Sequence, residues 1–180
     1  YQHYWDGATL NNIEKIVREE MNKINAEEVL MPSLISEDIY AESNRLSSFG
    51  DAMFKLKDRY DKNYVLGPTH EELFTIAAKN KVQSFKDLPF SIYQIQNKFR
   101  NEARAKSGLM RGREFNMKDL YSFHTDEEDL NRYYEIVKKA YFEIYKRLGL
   151  GDITVLTFAS GGAFSQFSHE FQTINKNGED

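Results

Sequence analysis

Residues 99–124 read Phe-Arg-Asn-Glu-Ala-Arg-Ala-Lys-Ser-Gly-Leu-Met-Arg-Gly-Arg-Glu-Phe-Asn-Met-Lys-Asp-Leu-Tyr-Ser-Phe-His, two alternating segments around a basic, glycine-containing loop. Side chains alternate between the two faces of a β-strand. From residue 94 to residue 102 the even positions are polar or charged, whereas Tyr93, Ile95 and Phe99 share the apolar parity. The sequence therefore predicts a long hairpin, turned by the loop 103–110, that carries one charged face.

The residues on this predicted face suit a nucleotide. An arginine donates two parallel hydrogen bonds to phosphate oxygens from a planar fork that stays charged, which makes Arg100 a candidate for the α-phosphate. Glu102 can accept from an adenine amino group, Phe115 can stack on the adenine ring, and Arg111 can reach the outer phosphates. The alternative is an amphipathic hairpin with a solvated basic tip.

A second candidate site lies in residues 64–72, which read Tyr-Val-Leu-Gly-Pro-Thr-His-Glu-Glu. A short apolar strand stops at Gly67 and Pro68, and a helical pattern follows. Thr69 is in position to cap that helix, with Glu72 three residues later as the partner of a capping box.

These stretches resemble the class II aminoacyl-tRNA synthetases. Residues 99–124 are similar to motif 2 of that class, and their amino-acid sequence is similar to that of motif 2 in the prolyl enzymes. Residues 69–71 resemble the Thr-x-Glu loop of prolyl-tRNA synthetases, which implies that Thr69 and Glu71, together with Arg100, bind proline. Proline carries a secondary ammonium with two N–H donors, which a hydroxyl and a carboxylate match. Ser-His-Glu-Phe at 168–171 resembles a block lining the amino-acid pocket, which implies that His169 lies beside the proline ring.

The resemblance also implies substrates and partners. Proline and ATP would give prolyl-adenylate, with Mg²⁺ arriving on ATP and bound mainly through phosphates, and the prolyl group would pass to tRNA(Pro). The loop 103–110 would contact the tRNA acceptor stem through Arg104 and Lys106. An amphipathic helix, a short strand and Pro32 resemble motif 1, which implies a homodimer.

The resemblance is incomplete. The usual Asp-Ser-Gly and Ile-Gly-Gly pattern before residue 168 is replaced by Ala-Ser-Gly-Gly-Ala-Phe-Ser at 159–165. Motif 3, an editing insert and an anticodon-binding domain have no counterpart in the sequence, so we expect residues 1–180 to form a partial catalytic core, the N-terminal part of a longer enzyme. Two alternatives stay open: a non-catalytic paralogue that binds an amino acid or a partner, and another class II synthetase such as the threonyl enzyme.

The amino-acid composition narrows the classes of protein to which the chain can belong. The 180 residues are 41% apolar and 14% aromatic, with a net charge of −4, which argues for a globular domain and against coating of nucleic acid by bulk charge. The chain has no cysteine, which excludes disulfides and thiol catalysis. His-Glu-x-x-His does not occur, so no protein-ligated metal is expected. No apolar run approaches 18 residues, so we expect no membrane span and a cytoplasmic protein.

The remaining pattern mixes helices and strands without regular β-α-β alternation. It predicts an α+β fold, a mainly antiparallel sheet flanked by helices, which the resemblance specifies as an incomplete class II synthetase catalytic fold. A capping box formed by Thr125 and Glu128 opens the longest helix, and Gly149 ends it. The pattern predicts helices over 10–24, 36–44 and 125–148 and strands over 28–31, 53–57, 63–66, 153–158 and 168–174.

Overall fold

The computed structural model describes residues 6–105, 108–159, 168–176 and 178. It is an α+β fold, as predicted. Its helices are α1 (Gly7–Lys23), α2 (Glu37–Glu42), α3 (Arg45–Phe49), α4 (Glu71–Lys81) and α5 (Glu127–Arg147). Its strands are β1 (Glu27–Glu28), β2 (Leu34–Ser36), β3 (Lys55–Lys57), β4 (Asn63–Leu66), β5 (Phe90–Phe99), β6 (Glu114–Phe123), β7 (Thr154–Ala159) and β8 (Ser168–Thr173).

The antiparallel hairpin β5–β6 is the centre of the fold. Its register runs from Phe90 opposite Phe123 to Phe99 opposite Glu114, and the Arg100 N–H continues the ladder to the Arg113 carbonyl at 2.9 Å. This register confirms the predicted charged face, because the even positions of β5 and the odd positions of β6 lie on the same side of the sheet.

The opposite face of the hairpin packs on α1 and α5. Tyr93 of β5 is fully buried there, next to the apolar stripes of the two helices. The buried members of this core are Met21, Ala26, Tyr93, Ala140 and Ile144. A second, smaller core lies between the sheet β2–β4–β3 and α2, and its buried members are Ile35, Tyr40, Met53 and Val65. The charged side of the hairpin faces the loop before α4 instead, where Lys98 meets His70.

The hairpin β7–β8 is a separate two-stranded sheet that packs on α5. Phe171 stacks on Tyr145 with ring centroids 5.5 Å apart, and it also meets Tyr141 and Phe142 edge-on. No helix within the described ranges is long and apolar enough to cross a membrane.

Two predicted elements differ from the structure. The strand predicted over 28–31 has only two residues, and it pairs in parallel with β5. It ends because the backbone of Met31 bonds to side chains of β5 rather than to its backbone. The Met31 N–H donates to Gln94 Oε1 at 3.1 Å, and the Met31 carbonyl accepts from the Gln96 side-chain amide. The helix predicted over 36–44 stops at Glu42, and a new helix begins after Asn44, whose φ of +60° breaks the helical path.

The start of α5 also differs from the prediction. The N-cap is Asp126, whose Oδ1 accepts from the Asp129 N–H at 2.8 Å. The Thr125 hydroxyl instead donates to Asp126 Oδ2 at 3.0 Å, so the predicted capping box of Thr125 and Glu128 is wrong. Asp126 is the better acceptor because a carboxylate gains from the positive end of the helix dipole.

The two residues give a direct test of this cap. Asp126→Ala removes the acceptor for the first-turn N–H and is expected to lower the urea midpoint of unfolding clearly. Thr125→Ala removes only a bond to the cap itself and is expected to have a smaller effect. Matched chemical denaturation of the two variants checks the assignment, and a larger loss for Thr125→Ala would contradict it.

Candidate active site

A buried lysine lies at the centre of the charged face. The Lys98 side chain is fully buried, with Nζ 2.7 Å from His70 Nδ1 and 3.1 and 3.2 Å from the two carboxylate oxygens of Asp119. Asp119 Oδ2 also accepts from Gln94 Nε2 at 3.1 Å and from the Tyr121 hydroxyl at 3.0 Å. Burial lowers the pKa of Lys98, and the Asp119 carboxylate opposes that effect.

His70 connects this lysine to the loop that precedes α4. Its ring is fully buried, and Nε2 lies 2.9 Å from the Pro32 carbonyl oxygen. A carbonyl only accepts, so Nε2 carries the proton and Nδ1 accepts from Lys98. Burial, followed by the charge of Lys98, lowers the pKa of His70, so the imidazole is neutral at pH 7. His70 is therefore a structural link between the loop and the sheet.

Thr69 and Glu71 form a hydrogen-bonded pair at the edge of this network. The Thr69 hydroxyl donates to Glu71 Oε2 at 2.5 Å, and Arg45 Nη1 donates to the same oxygen at 2.7 Å. Burial raises the pKa of Glu71, but the hydrogen bonds from Arg45 and Thr69 outweigh it, so the pKa lies below its ordinary value. Glu71 is thus held as a carboxylate whose side chain keeps 36% of its surface exposed.

The predicted helix cap at Thr69 is wrong. Helix α4 begins at Glu71 with His70 as its N-cap, and the His70 side chain makes no capping bond. The Thr69 hydroxyl is committed to Glu71, and Glu72, the predicted capping-box partner, is bound by Arg45 and by the Ser43 hydroxyl at 2.8 Å. Thr69 lies one residue before the N-cap, and Glu72 is bound by tertiary partners from the segment 43–45.

Arg100 is half-buried beside the same loop. Its Nε donates to the Pro68 carbonyl at 3.3 Å, and its Cζ lies 5.3 Å from the centroid of the Phe115 ring. Within the described part of the chain, the Arg100 guanidinium has no carboxylate partner. The structure therefore brings together four of the predicted site residues, Thr69, Glu71, Arg100 and Phe115.

The mouth of the hairpin holds two more predicted residues. Glu102 Oε2 lies 3.2 Å from Arg111 Nε, and Glu102 Oε1 accepts from the Arg104 N–H at 3.2 Å. These contacts, led by the Arg104 N–H, lower the pKa of Glu102. Arg104 is exposed, and Lys106 lies outside the described residues.

His169 is not brought to this group. It lines a cavity of about 290 Å³ on the α5 side of the hairpin, with Leu120 and Ser122, and its Nδ1 lies 2.8 Å from the Tyr134 hydroxyl. Leu120 and Ser122 alternate with Asp119 and Tyr121 along β6, so this cavity is on the opposite face of the sheet from Glu71. The expectation that His169 shares a pocket with Thr69 and Glu71 is therefore not met.

Sequence reasoning assigned no role to several residues that organise the site. Lys98 and Asp119 were visible as opposite charges on one predicted face, and their pairing follows once the hairpin register is known. Arg45 gave no signal, because it lies 26 residues before Glu71 and outside any predicted strand.

Comparison with known proteins agrees with this geometry. A family model described as the tRNA synthetase class II core domain (G, H, P, S and T) matches residues 54–178. This chain belongs to the class II tRNA synthetase core domain family. The match contains the β5–β6 hairpin and the loop before α4, which form the candidate site of the synthetase core.

Curated proline–tRNA ligases are similar to this synthetase core over most of its length. The proline–tRNA ligase of Kineococcus radiotolerans is 48% identical over 171 residues, which cover 95% of this chain and 29% of the relative. That of Lysinibacillus sphaericus is 47% identical, with 95% and 30% covered. The solved Giardia lamblia prolyl-tRNA synthetase in complex with prolyl-adenylate superposes with a TM-score of 0.71 and 25% identity, covering 76% of this chain and 29% of that chain. The chain thus spans about 30% of the length of these curated relatives.

Gly67 gives a stability test of the synthetase core. A Cβ at Gly67 would lie 2.7 Å from His70 Cε1 and 3.1 Å from Ile35 Cδ1, so Gly67→Ala must displace the buried imidazole. We expect a loss of about 1–3 kcal/mol in the free energy of unfolding, as for other overpacked sites. Gly7→Ala is the matched control, because a Cβ there meets no atom of the described residues within 4 Å. Equal unfolding midpoints for the two variants would contradict the close packing of His70.

Proposed function

We propose that this chain supplies ATP and proline sites of a proline–tRNA ligase, which activates proline as prolyl-adenylate and transfers the prolyl group to tRNA(Pro). The relatives carry that enzyme name, and the solved structure with a TM-score of 0.71 is a complex with prolyl-adenylate. The observation that carries the proposal is the position of Arg100. This half-buried cation binds the carbonyl of Pro68, one residue before the pair of Thr69 and Glu71.

The proposed reaction begins with attack of the proline carboxylate on the α-phosphorus of ATP, with pyrophosphate as the leaving group. Charge builds on the α-phosphate oxygens, and a fixed cation beside them stabilises the transition state. Arg100 takes this role and also contacts the proline carboxylate, so that it aligns the two reacting groups. No group of three His, Asp or Glu side chains in the described ranges could hold a metal ion. In this proposal Mg²⁺ enters with ATP and is held mainly by phosphates and water.

The adenosine part of ATP lies along the hairpin in this proposal. Phe115 offers its ring to the adenine, Glu102 accepts from the exocyclic amine, and Arg111 reaches the outer phosphates. The ion pair of Glu102 and Arg111, 3.2 Å apart, supports a shared role at one ligand, because each side chain keeps the other oriented before ATP arrives.

Proline is recognised at Thr69 and Glu71. The secondary ammonium of proline donates two hydrogen bonds, which the carboxylate of Glu71 and the hydroxyl of Thr69 accept. Thr69 already donates its own proton to Glu71, so the hydroxyl oxygen has lone pairs left to receive an N–H.

The proposal includes the partners of the complete enzyme. Arg104, which is exposed, and Lys106 contact the tRNA acceptor stem, and residues 1–180 form part of a class II catalytic core. A homodimer forms through α1 and the segment that follows it. The exposed side chains of Leu30 (75%) and Leu34 (49%) support an apolar contact there. We also propose that the complete enzyme acts in the cytoplasm.

Arg100→Ala in the full-length gene product tests the phosphate role. Losing one preorganised donor to a developing charge costs on the order of 100–1000-fold in rate, and ATP–pyrophosphate exchange dependent on proline measures that loss. Arg132→Ala is the control, since Arg132 is an exposed arginine on α5 away from the site. A loss below about fivefold for Arg100→Ala would remove the residue from the proposed mechanism.

Glu71→Gln and Phe115→Ala form a crossed pair of tests for the two substrates. Glu71→Gln leaves the proline ammonium without an anionic acceptor, a cost of roughly 2–5 kcal/mol, and is expected to raise KM for proline far more than KM for ATP. Phe115→Ala removes a stacking partner worth roughly 1–3 kcal/mol and is expected to show the opposite pattern. ATP–pyrophosphate exchange, with proline and ATP varied separately, measures the two KM values in each variant. The same effect on both constants in either variant would count against that residue's assignment.

A further inference from the structure

Arg45 makes a close contact with the proposed proline site from outside it. Its Nη1 lies 2.7 Å from Glu71 Oε2 and 3.1 and 3.2 Å from the two carboxylate oxygens of Glu72. The side chains of Arg45 and Glu72 are 14% and 7% exposed, whereas that of Glu71 is 36% exposed. The arginine is therefore largely buried, and with Glu71 and Glu72 it lines a cavity of about 440 Å³.

Local backbone geometry brings Arg45 to this position. Asn44 takes a left-handed φ of +60° between α2 and α3, and Arg45 is the first residue of α3. On either side of that break, Ser43 donates to Glu72 Oε1 at 2.8 Å and Arg45 contacts both Glu72 oxygens. The guanidinium also lies 5.0 Å from the centroid of the Phe49 ring. Glu72, Ser43 and Phe49 together hold the arginine in place before any ligand binds.

The contact fixes the orientation of Glu71. Two donors, Arg45 Nη1 and the Thr69 hydroxyl, converge on the single oxygen Oε2. A carboxylate held at one oxygen from two directions has little rotational freedom. Preorganised acceptors bind better because the ordering cost is met in folding rather than in binding.

We propose that Arg45 is a positioning residue for amino-acid binding: it holds the Glu71 carboxylate in the orientation that receives the amino group of the substrate, and Glu72 anchors Arg45 for that purpose. The inference rests on the proposed function of Glu71. Arg45 does not touch the amino acid and acts only through Glu71.

The charge of Arg45 gives the inference a second readout. Burial acts on Glu71 by raising its pKa, and the hydrogen bond from Arg45 is the first of the effects that lower it. Without Arg45 the pKa of Glu71 therefore rises, and the carboxylate becomes protonated at a higher pH than in the wild type. The titratable and charged groups around Glu71 include Tyr40, Glu42, Arg45, His70, Glu72, Lys79, Lys98 and Tyr121.

The test compares Arg45→Met and Arg45→Lys in the full-length gene product, with proline and ATP varied separately in ATP–pyrophosphate exchange. Loss of a charged hydrogen bond predicts that Arg45→Met raises KM for proline by about 10- to 100-fold, with KM for ATP changed less than about twofold. The acid limb of the pH profile of kcat/KM for proline should move to higher pH. Arg45→Lys keeps the charge and should restore most of the proline affinity and the wild-type acid limb.

Arg147→Met is the matched control. Arg147 also contacts two neighbouring glutamates, Glu19 and Glu20, with Nη1 2.6 Å from Glu20 Oε1, but it joins α5 to α1 away from the site. It should lower the melting temperature without changing KM for proline. If Arg45→Met lowers only the melting temperature, as the control does, the inference is overturned.

A further variant covers the case in which Arg45→Met does not fold. Glu72→Gln weakens the anchor of Arg45 without touching Glu71, and it should raise KM for proline by less than Arg45→Met. A wild-type KM for proline in both Glu72→Gln and Arg45→Lys, together with no shift of the acid limb in either, overturns the inference.

If Glu71→Gln raises KM for proline but the Arg45 variants do not, only the positioning role fails. If the wild-type protein shows no exchange dependent on proline, the proposed function and the inference fail together.

Discussion

The buried ammonium of Lys98 ties the two halves of the candidate site together. A charge without access to water is very costly unless it is paired and hydrogen-bonded. Its partners are His70, from the loop before α4, and Asp119, from the opposite strand of the hairpin. Neither half satisfies the lysine alone, so correct hairpin register and correct loop placement are required at the same time. A one-residue slip of β6 would turn Asp119 to the other face of the sheet.

The same network extends beyond the lysine to the segment after β1. The neutral His70 ring donates to the Pro32 carbonyl, while the side chains of Gln94 and Gln96 bind the backbone of Met31. The charged face of the hairpin is thus partly a structural layer, with its polar groups committed to neighbours in the fold. Arg100 differs from them, since its side chain binds only the Pro68 carbonyl and the Phe115 ring face among the described residues. A cation without a carboxylate partner, on a surface whose other polar groups are already hydrogen-bonded, suits an anionic ligand.

The predictability of each part follows from the range of the interactions that determine it. Strand parity is a local property with a period of two, so the shared face of Arg100, Phe115 and Asp119 was predictable from the sequence. Helix caps are also local, yet the predictions for Thr69 and Thr125 were wrong because the next residue, His70 or Asp126, is the N-cap of each helix. The placement of His169 differs from the expectation for another reason. Alternation assigned it to a strand correctly, but no local signal determines which face of the central sheet that strand covers.

The loop from Gly67 to Glu71 shows how few residues connect stability to the proposed chemistry. Gly67 leaves room for the His70 ring, the Pro68 carbonyl holds Arg100, and the Thr69 hydroxyl orients Glu71. Five consecutive residues thus position the cation and the anion to which the proposed function assigns the carboxylate end and the ammonium end of proline. Because His70 is neutral and Lys98 is paired with Asp119, the charges beneath the loop largely cancel. In the proposed site, Arg100 and Glu71 would therefore dominate the field that a zwitterionic amino acid meets. The buried network stabilises the loop and would keep its own charge from competing with such a substrate.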